Sequence, residues 1–412
     1  MNIKYEGFDF VEKGICAPKG FKASGVHCGI RKNKTKKDLA LIYSDVLCNA
    51  AAVYTLNKVK GAPIAVTKEN LKNGKAQAVI VNSGNANTCN ADGEEKARMM
   101  CDMAAASLGI DSKDVVVGST GVIGQVLPIE PIRDHMEELA GTLSGDGSAD
   151  AADAILTTDT VRKELAVEFT LGGKTCHIGG IAKGSGMIHP NMATMLCFMT
   201  TDVAIDRELL QQTLSAVVDE TFNMVSIDGD TSTNDTCAIL ASGLAGNEEI
   251  VSADTEEYKL FADALYVILM NLSRMIAGDG EGATKLLECT VNGAVDLKNA
   301  KIVAKSVITS NLFKCAMFGE DANWGRILCA IGYSEADLDI HGVEVILASK
   351  AGKITVCENG AGVEFSEEKA SSILKEDEIK IIVNLRDGDA KAVAWGCDLT
   401  YDYVKINGDY RT

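Results

Sequence analysis

Apolar residues along this chain fall into two patterns. Short unbroken runs, Leu39-Ala-Leu-Ile-Tyr43, Ala78-Val-Ile-Val81 and Val115-Val-Val117, have the length and composition of strands buried on both faces. Elsewhere apolar positions recur at intervals of three and four. In 94–108 the residues Ala97, Cys101, Ala104 and Leu108 line one face of a helix that Gly109 closes. In 205–220 Leu210, Leu214, Val217 and Val218 do the same behind Asp206. The longest such stretch is 256–277; its apolar part is broken by Asp263, Asn271 and Arg274, which predicts a buried core helix rather than a membrane span.

The remaining segments are read more coarsely. Residues 167–177 have the look of a hairpin arm, and 141–150, small and polar, that of a surface loop or linker. From 287 to 395 apolar strands alternate with helices expected at 305–325 and 366–374, and 379–395 reads as a hairpin turning at Asp387-Gly388. Residues 403–412 look like an exposed polar tail. Strands alternating with helices, with several hairpins, predict an α/β fold: a layered sandwich of mixed sheets with helices outside.

Composition narrows the function. A chain of 412 residues, 46% hydrophobic, can bury a large core in two or three domains, or in one domain with lobes. A net charge of −18 disfavours nucleic acid and anionic membrane surfaces as partners. The early basic cluster around Arg31, Lys32, Lys34, Lys36 and Lys37 lacks interleaved aromatics and reads as a solvated loop. Thirteen cysteines without a Cys-x-x-Cys pair suit reduced core thiols, and a first segment without an apolar core suits a cytoplasmic protein. No metal is expected: the five histidines are scattered, and Asp228-Gly-Asp-Thr-Ser-Thr-Asn-Asp235 lacks the order and distant Glu of a calcium loop. It reads instead as a loop beside the active site.

The candidate chemistry centres on Lys183-Gly-Ser-Gly-Met-Ile-His-Pro-Asn-Met-Ala193-Thr194-Met-Leu, a turn-rich stretch delivering a hydroxyl to an apolar run. A plain Gly-rich turn before a core strand accounts for the same residues. If the bond between Ala193 and Thr194 is cut, however, Thr194 gains an α-amine of pKa about 7.7–8.0 beside its own hydroxyl, a base for a weak nucleophile. Val115-Val-Val-Gly-Ser-Thr120-Gly121-Val-Ile-Gly124 is a buried strand running into a glycine-rich turn, able to aim N–H groups at an oxyanion; the phosphate-loop pattern is absent. Gly278-Asp-Gly-Glu281-Gly places a carboxylate between glycines, and Asn82-Ser-Gly-Asn-Ala-Asn87 is an amide loop suited to capping or to a ligand.

The 183–196 stretch matches every fixed position of the self-cleavage signature of the ornithine acetyltransferase (glutamate N-acetyltransferase) family, and the resemblance extends from Gly14 to Thr412. It implies a self-cleaving threonine-nucleophile acyltransferase fold with an alpha chain of 1–193 and a beta chain of 194–412. The two would share one core and assemble as alpha2-beta2. It further implies Thr194 as nucleophile, Thr120 and Gly121 as oxyanion hole, and Thr157, Lys183, Thr194, Glu281, Asn407 and Thr412 as substrate-binding residues. The activity implied is acetyl transfer from N-acetylornithine to glutamate in arginine biosynthesis, with no cofactor and with acetyl-CoA as a candidate second donor. Two alternatives are an N-terminal-nucleophile amidase or aminopeptidase that uses water, and an uncleaved small-molecule-binding protein.

Overall fold

The computed structural model describes residues 2–189 and 195–409. In chain order the strands are β1 (Asp9–Phe10), β2 (Phe21–Val26), β3 (Leu39–Tyr54), β4 (Lys75–Asn85), β5 (Val115–Val122), β6 (Lys163–Leu171), β7 (Lys174–Lys183), β8 (Leu196–Thr201), β9 (Val225–Ser226), β10 (Thr236–Ala241), β11 (Leu286–Ala294), β12 (Glu344–Ser349), β13 (Gly352–Glu358), β14 (Ala361–Gly362), β15 (Glu378–Asn384) and β16 (Ala390–Cys397). With the helices between them they build two compact units, each around a mixed sheet, so the expected α/β class with mixed sheets is what the chain adopts. Unit 1 takes the described residues within 1–184, 190–222 and 231–272; unit 2 takes those within 185–189, 223–230 and 273–412.

Unit 1 holds a nine-stranded sheet in the order β1-β6-β7-β8-β10-β3-β4-β5, with β2 added on β3. The sixteen residues of β3 let it pair twice, its first half with β2 and its second with β10. The sheet is covered on both faces, which is why its strands read as continuous apolar runs rather than alternating ones. Leu39, Leu41, Ala78, Ile80, Val115 and Val117 pack with Ala97, Met100, Cys101 and Ala104 of the helix Gly93–Leu108. The intervening Ala40, Ile42, Val79, Val81 and Val116 pack with Ala151, Ala152, Ala154 and Ile155 on the other face. Each fully buried Val or Ile stabilises the unit by about 1.5–3 kcal/mol.

That second covering layer corrects the expected loop at 141–150. The helix Ser148–Ile155 begins inside it, and its small residues let the helix backbone approach β2 so closely that a Cβ on Gly25 would stand 2.1 Å from the Asp150 carbonyl oxygen. Other expectations hold. The β6–β7 hairpin turns at Gly172-Gly173, both at positive φ, and the Asp206 carboxylate caps the helix Arg207–Glu220 through the N–H groups of Glu208 and Leu209. The helix Glu256–Gly278 is long and apolar enough to cross a membrane, but 72% of its most apolar window is buried, as in a core helix.

Unit 2 holds a seven-stranded sheet in the order β14-β13-β12-β15-β11-β16-β9. Here three expectations fail. The 379–395 hairpin does not form: β15 pairs in parallel with β11 and β16 pairs antiparallel with its other edge, so β11 separates two strands that are neighbours in sequence. The helix expected at 305–325 is divided among three, Leu297–Thr309, Asn311–Phe318 and Trp324–Gly332: Ser310 ends the first and its hydroxyl accepts from Phe313 N–H to start the second, and Asn323 caps the third. The described part of the expected polar tail belongs to a helix, Tyr401–Asp409, with no buried residue. The helix Glu367–Leu374 lies where the sequence puts it, capped by Ser366.

Candidate active site

In unit 1, β4 and β5 run parallel and end together, with Ser83 opposite Thr120 and Gly84 opposite Gly121. Both glycines have positive φ, 97° and 136°, and a Cβ on Gly121 would stand 2.3 Å from the Gly84 carbonyl carbon, so neither position of this crossing accepts a side chain without strain. Amide and hydroxyl side chains hold the turn from behind. Ser119 Oγ donates to Asn82 Oδ1 (2.6 Å), and Asn82 Nδ2 donates to the Asn85 carbonyl (2.9 Å). Asn234, just before β10, donates from Nδ2 to the carbonyls of Ala86 (2.5 Å) and Ser119 (2.9 Å) and accepts on Oδ1 from Thr88 (2.6 Å) and Thr233 (2.5 Å). The Ser119 carbonyl and the Thr120 N–H belong to one planar trans peptide. By gripping the carbonyl, Asn234 fixes the direction of that N–H.

A second cluster of unit 1 gathers around Asp159. Its carboxylate lies 2.7 Å from Lys163 Nζ, both side chains wholly buried, and accepts the N–H groups of Gly184 (2.7 Å) and Thr157 (3.0 Å). Burial alone would raise the Asp159 pKa; the Lys163 and Lys183 charges, with these hydrogen bonds, outweigh it and hold the carboxyl below the usual range. Thr157 and Lys183, candidates from the sequence, thus converge on a carboxylate that the sequence reading left unassigned although it sits two residues after Thr157. Asp235 is buried too, with one carboxyl oxygen lacking a partner among the described residues, and burial pushes its pKa well up against the opposing Lys183 charge.

In unit 2 the other candidates meet. Glu281 N–H donates to the Ser185 carbonyl (2.8 Å), and the Glu281 carboxylate lies so close to Gly186 that a Cβ there would be 2.4 Å from its carbon. Asn407, on the helix Tyr401–Asp409, donates from Nδ2 to Glu281 Oε2 (2.8 Å). Asp228 accepts the N–H groups of Met187 (2.6 Å) and Ile188 (2.9 Å) and lies 3.3 Å from the Tyr403 hydroxyl. Ala193, Thr194 and Thr412 lie outside the described residues. The structure therefore places Thr120, Gly121, Thr157 and Lys183 in unit 1, and Glu281 and Asn407 in unit 2. Sequence reasoning did not single out Asn234, Asp235 or Asp228 within their polar run; the signal available was a run of aspartates, asparagine and threonines too polar to be core and too short of ligands to be a metal loop.

The ArgJ family model matches residues 22–412. The chain is 52% identical over 405 residues to the arginine biosynthesis bifunctional protein ArgJ of Caldanaerobacter subterraneus subsp. tengcongensis, covering 98% of this chain and 100% of the relative. It is 48% identical to the protein of the same name from Bacillus subtilis, covering 97% and 96%. Among solved structures, an arginine biosynthesis bifunctional protein ArgJ from Bacillus halodurans is 47% identical and covers 52% of this chain and 98% of its own, with a TM-score of 0.49. An ornithine acetyltransferase from Mycobacterium tuberculosis complexed with ornithine is 33% identical and covers 45% and 100%, with a TM-score of 0.42.

Proposed function

This chain belongs to the ArgJ family and is with it an acyltransferase of arginine biosynthesis; from that membership we propose that it moves an acetyl group from N-acetylornithine to glutamate through an acetyl ester on Thr194. The chain first cuts itself between Ala193 and Thr194. The Thr194 hydroxyl then attacks the acetyl carbonyl carbon, its proton passing by way of the α-amine to the departing ornithine nitrogen as the amide C–N bond breaks. Glutamate's amine attacks the ester, the C–O bond breaks, and N-acetylglutamate leaves with the threonine reprotonated. One amide replaces another, so little driving force is needed, but water must be kept from the ester.

The observation that carries this proposal is the turn ending β5. Thr120 and Gly121 stand on a strand end closed by two positive-φ glycines and braced by Asn82 and Asn234, the kind of preorganised donor array that stabilises a developing oxyanion. Lys183 is assigned to the substrate carboxylate and Glu281 to its ammonium, with Thr157, Asn407 and Thr412 completing the contacts. Acetyl-CoA is a second acetyl donor in this proposal, in keeping with relatives named bifunctional. Strand membership supports a lasting pairing of the fragments. Strands β1 to β7 precede the cut and β8 and β10 follow it, yet β7 pairs with β8 from Lys183 opposite Leu196 onward, so in this proposal alpha and beta chains share one sheet after the cut. Further assembly as alpha2-beta2 is part of the proposal and rests on the family resemblance alone.

Intact mass and N-terminal sequencing test the first half: two fragments, the second beginning at Thr194, are expected. Ping-pong kinetics with labelled N-acetylornithine test the second, label in N-acetylglutamate marking a transferase and label in free acetate an amidase. Thr194→Ala should abolish both cutting and turnover. A single intact chain in fully active material would rule the mechanism out.

A further inference from the structure

The polar run Asp228-Gly-Asp-Thr-Ser-Thr-Asn-Asp235 is not used up by the acetyl-transfer roles above, and its first residue does something specific. Asp228 spends both carboxyl oxygens on consecutive backbone donors, Oδ2 on Met187 N–H (2.6 Å) and Oδ1 on Ile188 N–H (2.9 Å). Its two predecessors hold the same stretch: Ile227 N–H donates to the Ile188 carbonyl (2.7 Å), and Ser226 Oγ lies 3.0 Å from His189 Nδ1. Met187 is held at φ +55°, a left-handed conformation that a non-glycine residue adopts only when its surroundings impose it. All of these residues belong to unit 2, and the chain they hold leads, after His189, into the bond between Ala193 and Thr194.

We propose that Asp228 is a positioning residue for self-cleavage: by clamping Met187 and Ile188 it sets the direction in which the chain enters the scissile bond. The proposal rests on the self-cleavage reading. In that reaction the Thr194 oxygen bonds to the Ala193 carbonyl carbon and the C–N bond breaks, the hydroxyl proton going to the freed amine. Water then hydrolyses the ester to an Ala193 carboxylate and a free Thr194 hydroxyl. Such an intramolecular attack depends on orientation, and a small misplacement of the reacting atoms costs far more than the freedom of a slightly longer loop. The magnitudes separate the two. With the Asp228 carboxylate gone, Ile227 N–H on the Ile188 carbonyl and Ser226 Oγ beside His189 still tether the chain, so what is lost is the orientation of the Met187 and Ile188 peptides rather than the tether. Loop-closure entropy, which grows only slowly with loop length, therefore contributes little to the expected effect.

The test follows the appearance of the two fragments after a pulse of cell-free synthesis of the full chain, by gel and intact mass, with thermal unfolding of each product. Asp228→Ala, which removes both acceptors, should slow cutting tenfold or more, and Asp228→Asn, which keeps one acceptor in the same shape, should fall between it and the wild type. Tyr403→Phe, which removes only the hydroxyl beside Asp228, should slow cutting about twofold. This graded order at matched unfolding temperature is not what a general loss of stability would give. Should Asp228→Ala fail to fold, the two isosteric variants carry the test. Folded Asp228→Asn that cuts within twofold of the wild type overturns the clamp while leaving self-cleavage standing. A wild-type chain that never cuts overturns both.

Discussion

In unit 1 Thr120 is 9% exposed and Lys183 7% exposed, and Asn234, which holds the Ser119 carbonyl before Thr120, has both ends of its amide bonded twice. In unit 2 Glu281 is half-buried and Asn407 is exposed, and the two hold each other through one hydrogen bond on a helix that buries none of its residues. The difference matches two chemical demands. A charge that exists only in the transition state is best met by donors already aimed, which requires a rigid surround. A substrate that must enter and leave is better gripped by groups that water can reach. If this division holds, substitutions at the oxyanion turn of unit 1 lower kcat, and substitutions at Glu281 and Asn407 of unit 2 raise KM.

Thr120→Ala is the largest test of that division. In this proposal the Thr120 hydroxyl donates to the oxyanion beside the backbone N–H groups, and loss of one such donor typically lowers kcat by about 10²–10³, while KM for N-acetylornithine should change little. Asn234→Asp keeps the shape but turns a donor into an acceptor facing two carbonyls, and is expected to lower kcat by roughly tenfold through the Ser119 peptide. Steady-state kinetics in both substrates reads the split. A pure KM effect for Thr120→Ala would move it from the oxyanion to ground-state binding.

Glu281→Gln should act the other way. A hydrogen bond to a charged group contributes about 1.5–3 kcal/mol, so KM should rise about 10- to 100-fold with kcat nearly kept. The same assay decides. A fall in kcat without a rise in KM would place Glu281 in the chemical step and erase the contrast between the units.

Legibility in the sequence divides along related lines. The strands β3, β4 and β5 are readable because burial on both faces leaves an unbroken apolar run, and the helices Gly93–Leu108 and Arg207–Glu220 because one covered face imposes a period and a cap marks the start. The helix Ser148–Ile155 is not, since its buried face is made of alanines that a polarity reading takes for loop. Neither is the separation of β15 from β16, because the insertion of β11 between them is a long-range pairing with no local mark. Among the candidate residues, Thr120, Gly121, Thr157, Lys183, Glu281 and Asn407 are reachable through motifs. Asp159, Asn234 and Asp228 act on backbone groups brought from distant segments, and a polar residue in a polar run does not announce such a partner.

The smallest expected effect concerns pH, and it again sets the units against each other. His177 of β7 lies between Asp202 (Nδ1 to Oδ2, 3.0 Å) and Glu168 (Nε2 to Oε2, 3.1 Å), and the bond to Asp202, then the two carboxylate charges, raise its pKa against the effect of burial. His189 in unit 2 is depressed to about 4, by burial first and by the Lys305 charge second, with Asp228 opposing. Folding therefore favours the protonated form of His177. Its contribution is complete below the unfolded value of about 6.5 and is lost as pH rises through the raised folded value. For His189 the unfolded chain binds the extra proton, so the native state loses ground as pH falls from about 6.5 and the loss levels off below about 4. Urea unfolding of the wild type, His177→Gln and His189→Gln from pH 4 to 8.5 reads these terms as differences from the wild type, in which the many carboxylates common to all three cancel. The stability advantage of the wild type over His177→Gln should shrink toward high pH, and that over His189→Gln should shrink toward low pH. Two difference curves sloping the same way would show that one of the imidazoles is held in the opposite protonation state from the one its neighbours favour.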